Sequence, residues 1–93
     1  MYNCIMNFEF DPAKNQLNIA KHGIDLADVE EVFRDRNALT IEDRDHDEQR
    51  FVTIGDDGVG RILVVCYTYR GETTIRIISA RKAKPHERKD YEG

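Results

Sequence analysis

A change in the spacing of apolar residues near Leu39 constrains the fold of this chain more than any other feature. From that residue onward apolar side chains recur at every second position, which is typical of β-strands. We predict strands at residues 39–43, 50–55, 61–70 and 74–81, joined by acidic or glycine-containing turns as an antiparallel meander. The third strand is apolar on both faces and is therefore expected at the centre of the sheet.

The residues before this region indicate a short strand and a helix. Residues 7–10 alternate as a strand does, and Asp11 followed by Pro12 combines an N-cap with a favoured first helical residue. Gly23 is expected to end this helix. Its predicted apolar face consists of Ala13, Leu17 and Ala20.

Two further helices are predicted, from Asp25 to Asp35 and from Pro85 to Tyr91. The apolar stripe of the first consists of Leu26, Val29, Val32 and Phe33. A chain of 93 residues has room for one core. We therefore expect one domain, residues 1–93, with an α+β fold: two N-terminal helices packed on a mostly antiparallel sheet of four to five strands, and a short C-terminal helix.

The charge is unevenly distributed along the chain. The net charge of −4 is unfavourable for a nucleic-acid-binding protein taken as a whole. Residues 1–69 contain seven Lys/Arg and fourteen Asp/Glu, whereas residues 70–93 contain seven and four. Because local potential steers an anionic substrate, the basic C-terminal part is expected to face phosphate groups.

The cysteines and the chain start favour a cytoplasmic protein. Cys4 and Cys66 have no ligand spacing, and Cys66 lies in an apolar run where a thiol behaves as a small hydrophobe. Residues 1–6 do not resemble a signal peptide, and the longest apolar run, residues 62–67, is too short to span a bilayer. We expect no disulfide and no membrane association.

Four stretches of this sequence resemble the BrnT family of toxins. They are Phe8–Lys14, Asn18–Gly23, Val32–Asp35 and Ile75–Ala83, the last followed by Glu87-Arg88 and Tyr91-Glu92. The resemblance implies a RelE-like fold, endoribonuclease activity that inhibits translation, and a BrnA-type antitoxin. It also implies a hetero-oligomer that represses its own operon, touching operator DNA only through the antitoxin.

Metal-free RNA cleavage needs a base for the 2′-hydroxyl proton, cations for the developing negative charge and an acid for the leaving oxygen. We expect no cofactor and no metal. Lys21-His22 would supply a phosphate contact and a proton carrier, although cations and a glycine at a helix end also form an ordinary C-cap. The predicted catalytic residues are Lys21, His22, Arg61, Arg81 and Glu48.

The expected RNA-binding residues lie late in the chain. They are Arg50, Arg76, Arg88 and Tyr91. Strict alternation places Arg81 with Ile75 and Ile77, and Arg76 on the opposite face. The alternative is that one or two of these arginines are structural and pair with Glu87 or Glu72 at a sheet edge, and that Tyr91 is a packed terminal anchor.

Three alternatives remain open from the residues. Tyr67 and Tyr69 either fill the core or stack on a base. The acidic run at residues 42–48 is either a solvated hairpin or a metal site, and His46 or Glu48 could accept a proton beside Arg50. The whole chain could also be a non-enzymatic module that binds a partner or DNA.

Overall fold

The computed structural model describes residues 6–43 and 49–93. Its regular elements largely match the expected order along the chain. They are strand β1 (Asn7–Glu9), helix α1 (Pro12–His22), two 3₁₀ turns (Leu26–Asp28 and Glu30–Arg34), strands β2 (Leu39–Asp43), β3 (Arg50–Asp56), β4 (Ile62–Arg70) and β5 (Thr74–Lys82), and helix α2 (Pro85–Glu92).

The strands form one mixed sheet in the order β1-β5-β4-β3-β2. The four strands from β2 to β5 pair antiparallel, which confirms the predicted meander, and β4 lies at the centre as expected. β1 pairs parallel with β5, with Phe8 opposite Ile75. The described elements therefore form an α+β fold with a sheet that is antiparallel except at one edge.

Both ends of α1 agree with the sequence prediction. The Asp11 carboxylate accepts a hydrogen bond from the Ala13 amide at 2.9 Å. Gly23 has a φ of 72°, and its amide donates to the Ile19 carbonyl at 2.8 Å. The predicted packing face is wrong, because Ala13, Leu17 and Ala20 are exposed and Leu17 is 70% accessible.

Asparagines explain how α1 packs instead. β1 ends opposite Arg76, so none of the described strands pairs with the outer edge of β5 at Ala80. The Asn18 side-chain amide donates to the Ala80 carbonyl at 2.9 Å and accepts from the Ala80 amide at 3.2 Å. Asn15 similarly accepts from the Leu26 amide at 2.8 Å. Backbone groups of buried segments need such partners, so the polar face of α1 turns inward.

The predicted second helix is wrong in type. Two 3₁₀ turns occupy its place. Leu26, Val29 and Val32 are spaced by three residues, and a 3₁₀ helix aligns side chains at i and i+3. All three are at most 1% accessible, so this alignment buries the whole stripe against the sheet. An α-helix would have spread the same residues over a wider arc.

The core lies between this 3₁₀ segment and one face of the sheet. The buried side chains of the 3₁₀ segment pack on the central strands. Gly55 on β3 lets Val32 of that segment approach the sheet closely. A Cβ there would lie 3.1 Å from Val32 Cγ1 and 3.2 Å from the Val32 carbonyl oxygen. The largest fully buried side chains are Ile24, Leu26, Val29, Val32, Leu63 and Val65.

Helix α2 confirms the predicted C-terminal helix, and it has no buried residue. Glu87 caps its start by accepting from the Lys84 amide at 2.8 Å. At its other end the Tyr91 hydroxyl donates to Asp35 at 2.5 Å. In the described ranges, no helix has the length and apolar character needed to cross a membrane.

Candidate functional site

A β-bulge sets the direction of the arginines on β5. Cys66 pairs with Ser79 and Tyr67 pairs with Ile77, so Ile78 is an extra residue that shifts the alternation. Beyond the bulge Arg81 lies opposite Val64, on the face away from the core, and Arg76 lies on that same face. The prediction that these two arginines point to opposite faces is therefore wrong.

Arg76 and Arg50 lie in one row on the face of the sheet away from the core. Arg76 pairs with Thr68, and Arg50 is on the other side of β4, so two strand spacings separate them by about 10 Å. Arg76 Nη1 contacts Glu9 Oε2 at 2.7 Å. The structure thus places two of the predicted RNA-binding arginines together, with Arg76 already engaged by a carboxylate.

Arg81 is held by Glu87 through two hydrogen bonds. Its Nη1 and Nη2 donate to Oε1 and Oε2 at 2.7 and 2.8 Å, and the Glu87 side chain is only 16% accessible. The bidentate contact lowers the pKa of Glu87 to about 2. This pair joins α2 to β5, which is the structural alternative expected for this arginine.

The Arg81–Glu87 pair makes stability depend on pH. Because the folded pKa of Glu87 is about 2 and its ordinary value is 4.5, the contribution is complete above about 4.5 and is lost as the pH falls toward 2. We expect Glu87→Gln to lower the unfolding free energy by about 1–3 kcal/mol at neutral pH and to lose this acid sensitivity. Urea denaturation at a series of pH values measures both, with exposed Glu92→Gln as the control. Parallel pH profiles for Glu87→Gln and the unsubstituted chain would contradict the assignment.

A second group of cations surrounds a cavity of about 240 Å³ where β4 begins and β5 ends. We call it the basic cleft, and its charged residues are Arg61, Lys82 and Arg88. Within residues 6–43 and 49–93, no carboxylate pairs with Lys82 or Arg88. The cleft therefore presents available positive charge of the kind that binds phosphate.

Arg61 is oriented in this cleft by a buried carboxylate. Its Nε donates to Asp57 Oδ2 at 2.6 Å, and the Asp57 side chain is 1% accessible. Burial would raise the pKa of Asp57, but hydrogen bonds from Arg61 and from backbone amides, with the positive charge of Arg61, lower it below its ordinary value. The described bonds of the Arg61 side chain use Nε alone. Its terminal nitrogens therefore remain available to a ligand.

Lys21 and His22 form the last turn of α1. They follow Asn18 by about one helical turn, and Asn18 is bonded to Ala80 near the end of β5. Gly23 completes the ordinary C-cap that was the alternative for this pair. The last turn of α1 is therefore alongside the strand that leads into the basic cleft, with no contact from Lys21 or His22 to Arg81 in the described part of the chain.

The remaining predicted residues have different outcomes. Glu48 and His46 lie outside the described residues. The hydrogen bond to Asp35 raises the pKa of Tyr91 to about 12, and the ring serves as an anchor for α2. Among the described residues, no cluster of three His, Cys, Asp or Glu side chains has a geometry suited to a metal ion.

Sequence reasoning missed Lys82 and Asp57 at this site. Lys82 directly follows the predicted Arg81, and alternation past the bulge turns it to the core side, opposite Leu63. Asp57 lies in the acidic turn before Arg61, and its spacing of four residues from that arginine was the available signal. Lys82 has no comparable signal in the linear sequence.

Comparisons with known proteins agree with this fold. The sequence profile of the family described as the ribonuclease toxin BrnT of type II toxin–antitoxin systems matches residues 10–87. The crystal structure of the ribonuclease toxin BrnT from Brucella abortus is 32% identical, with a TM-score of 0.73 over 85% of this chain and 97% of that one. A comparison with curated proteins gives no match. This chain therefore belongs to the BrnT family of ribonuclease toxins of type II toxin–antitoxin systems.

Proposed function

We propose that this chain cleaves RNA in the basic cleft without a metal ion and thereby inhibits translation. The observation that carries the proposal is the placement of Arg61. The buried Asp57 carboxylate fixes its guanidinium from the Nε side, while Lys82 and Arg88 complete the charge around the cavity. A preorganised arginine of this kind stabilises the charge that develops on a phosphate in the transition state.

The proposed reaction is an internal transesterification. The 2′-oxygen attacks phosphorus as a base removes its proton, and the bond from phosphorus to the 5′-oxygen breaks as an acid protonates that oxygen. His22 is the proton carrier in this scheme, and Lys21 contacts the phosphate. The products are a 2′,3′-cyclic phosphate and a 5′-hydroxyl, and no step requires a cofactor.

The proposal extends to partners and location. Type II systems pair the toxin with a protein antitoxin, and we propose one of the BrnA type. The toxin in that complex would be inactive, and the hetero-oligomer would repress the shared operon by contacting operator DNA through the antitoxin. We place this RelE-like toxin in the cytoplasm, where its RNA substrate is made.

Purified, antitoxin-free protein incubated with RNA and EDTA tests the chemistry. We expect cleavage at an unchanged rate in EDTA and products that end in a cyclic phosphate. RNA with a single 2′-deoxy substitution at the cleaved position is the matched control, and it should resist cutting there. Activity that disappears with EDTA would contradict the proposal, as would intact RNA under conditions where circular dichroism shows the folded protein.

A further inference from the structure

A large cavity lies on the core side of the sheet, away from the basic cleft. The 3₁₀ segment covers the sheet near Gly55, and beyond it an open hollow of about 630 Å³ crosses the strands. We call this hollow the aromatic trough. The aromatic rings that line it are Phe8, Phe33, Tyr67 and Tyr69. Its volume falls within the range of roughly 300–1,000 Å³ that is typical of small-ligand sites.

The rings of the trough hold one another in place. Phe33 meets Tyr67 edge to face with centroids 4.8 Å apart, and Phe8 meets Phe33 at 5.3 Å. Tyr69 contacts Tyr67 at 5.8 Å and remains 47% accessible at the mouth. A half-exposed ring fixed by its neighbours loses little conformational freedom when a flat ligand stacks on it.

A short chain of hydroxyl groups forms the floor of the trough. Thr53 Oγ1 is 2.8 Å from the Tyr67 hydroxyl and 2.9 Å from Thr40 Oγ1. Thr53 and Tyr67 are buried, whereas Thr40 is exposed. Two hydrogen bonds use two of the three hydroxyl protons, and the chain can run in either direction. Thr40 can therefore offer a donor or an acceptor to a ligand in the cavity.

The two charged side chains that line the aromatic trough, Arg34 and Asp35, differ in whether they can bind a ligand. Asp35 already accepts from Tyr91 and from the Asp56 amide. Arg34 is 59% accessible, and its ion pair among the described residues is with Glu31, through an exposed contact of the kind that contributes little. Arg34 can therefore turn to a phosphate group near the trough.

We infer that the aromatic trough binds a base of single-stranded RNA. Aromatic faces accept any base by stacking, the hydroxyl floor meets a polar base edge, and Arg34 meets the backbone. The inference rests on the proposed function in taking RNA as the ligand. Arg61 directly precedes β4 and Tyr69 lies eight residues further along the chain, about 26 Å in an extended strand, so the trough and the basic cleft hold different nucleotides of one RNA strand.

Direct binding tests the trough without relying on cleavage. An uncleavable, fully 2′-O-methylated single-stranded RNA is titrated against Tyr69→Ala and Tyr69→Phe by fluorescence anisotropy. We expect Tyr69→Ala to weaken binding roughly tenfold or more, and Tyr69→Phe to bind within about twofold of the unsubstituted chain, because the stacking face remains. Equal affinity of Tyr69→Ala and the unsubstituted chain would overturn the inference.

Substrate length separates this site from the cleavage site. Tyr69→Ala should lower kcat/KM for a long single-stranded RNA and leave cleavage of a dinucleotide unchanged, since a dinucleotide cannot span both sites. Thr40→Val, which removes the hydroxyl that is bonded to Thr53 Oγ1, should weaken long-RNA binding in the same direction. If Tyr69→Ala weakens affinity for the purified antitoxin but not for RNA, the trough is a protein-binding surface and the inference is wrong.

Discussion

Arg61→Ala is expected to lower kcat/KM for RNA cleavage by roughly 10²–10³-fold. That is the usual effect of removing one preorganised group that stabilises transition-state charge. Arg61 qualifies because the buried carboxylate of Asp57 fixes its Nε while the guanidinium lines the basic cleft. Initial rates on a fluorescent RNA substrate, measured with the antitoxin-free protein, provide the comparison.

Two further variants serve as controls for Arg61→Ala. Arg61→Lys keeps the positive charge and so protects the fold from an unpaired Asp57, but it lacks the planar guanidinium that holds the phosphate in a fixed geometry. We expect most of the activity to be lost in this variant as well, with the folded state retained. Exposed Arg70→Ala, at the opposite end of β4, should cleave normally. If Arg61→Ala is as active as Arg70→Ala, the basic cleft is not the cleavage site.

Asn18→Leu is expected to lower the unfolding free energy by about 3–5 kcal/mol. The substitution would leave the amide and carbonyl of Ala80 and the carbonyl of Ile24 without their partner, and each buried unpaired group costs about 1–3 kcal/mol. Urea denaturation followed by circular dichroism measures the loss. Gln16→Leu on the exposed face of α1 should change stability by less than about 0.5 kcal/mol.

Asn18→Asp distinguishes hydrogen bonding from packing. The carboxylate keeps an acceptor for the Ala80 amide but cannot donate to the carbonyls of Ala80 and Ile24. We expect a loss comparable to that of Asn18→Leu, although the side chain keeps its size. A variant with near-normal stability would show that these bonds contribute little.

The sheet was predictable because its pattern is local. Alternation within each of the four strands from β2 to β5 is visible over a few residues. The signals that begin and end α1, Asp11 and Gly23, are equally short-range. The burial of α1 was not predictable in this way, because Asn18 turns inward to meet Ala80, 62 positions away. The 3₁₀ turns were missed since a spacing of three also fits the edge of an α-helical stripe.

The site was predictable in its residue types more than in its geometry. Arg61 and Arg88 were expected, and the structure brings both to one cavity. The bulge at Ile78 adds one residue that no local signal announces, so simple alternation placed Arg81 on the wrong face. The same bulge changes the side to which Lys82 points, and Lys82 lines the basic cleft.

The parallel pairing of β1 with β5 has a consequence for how this toxin comes into being. β1 and α1 are made before their partners, Ile75 and Ala80, and Asn18 and Ala80 are 62 positions apart. Because contacts between distant positions form only after both are present, the growing chain has no complete sheet edge until β5 has left the ribosome. Lys82, at the end of β5, and Arg88, on α2, are made after those partners, so the basic cleft cannot assemble before this edge of the sheet can.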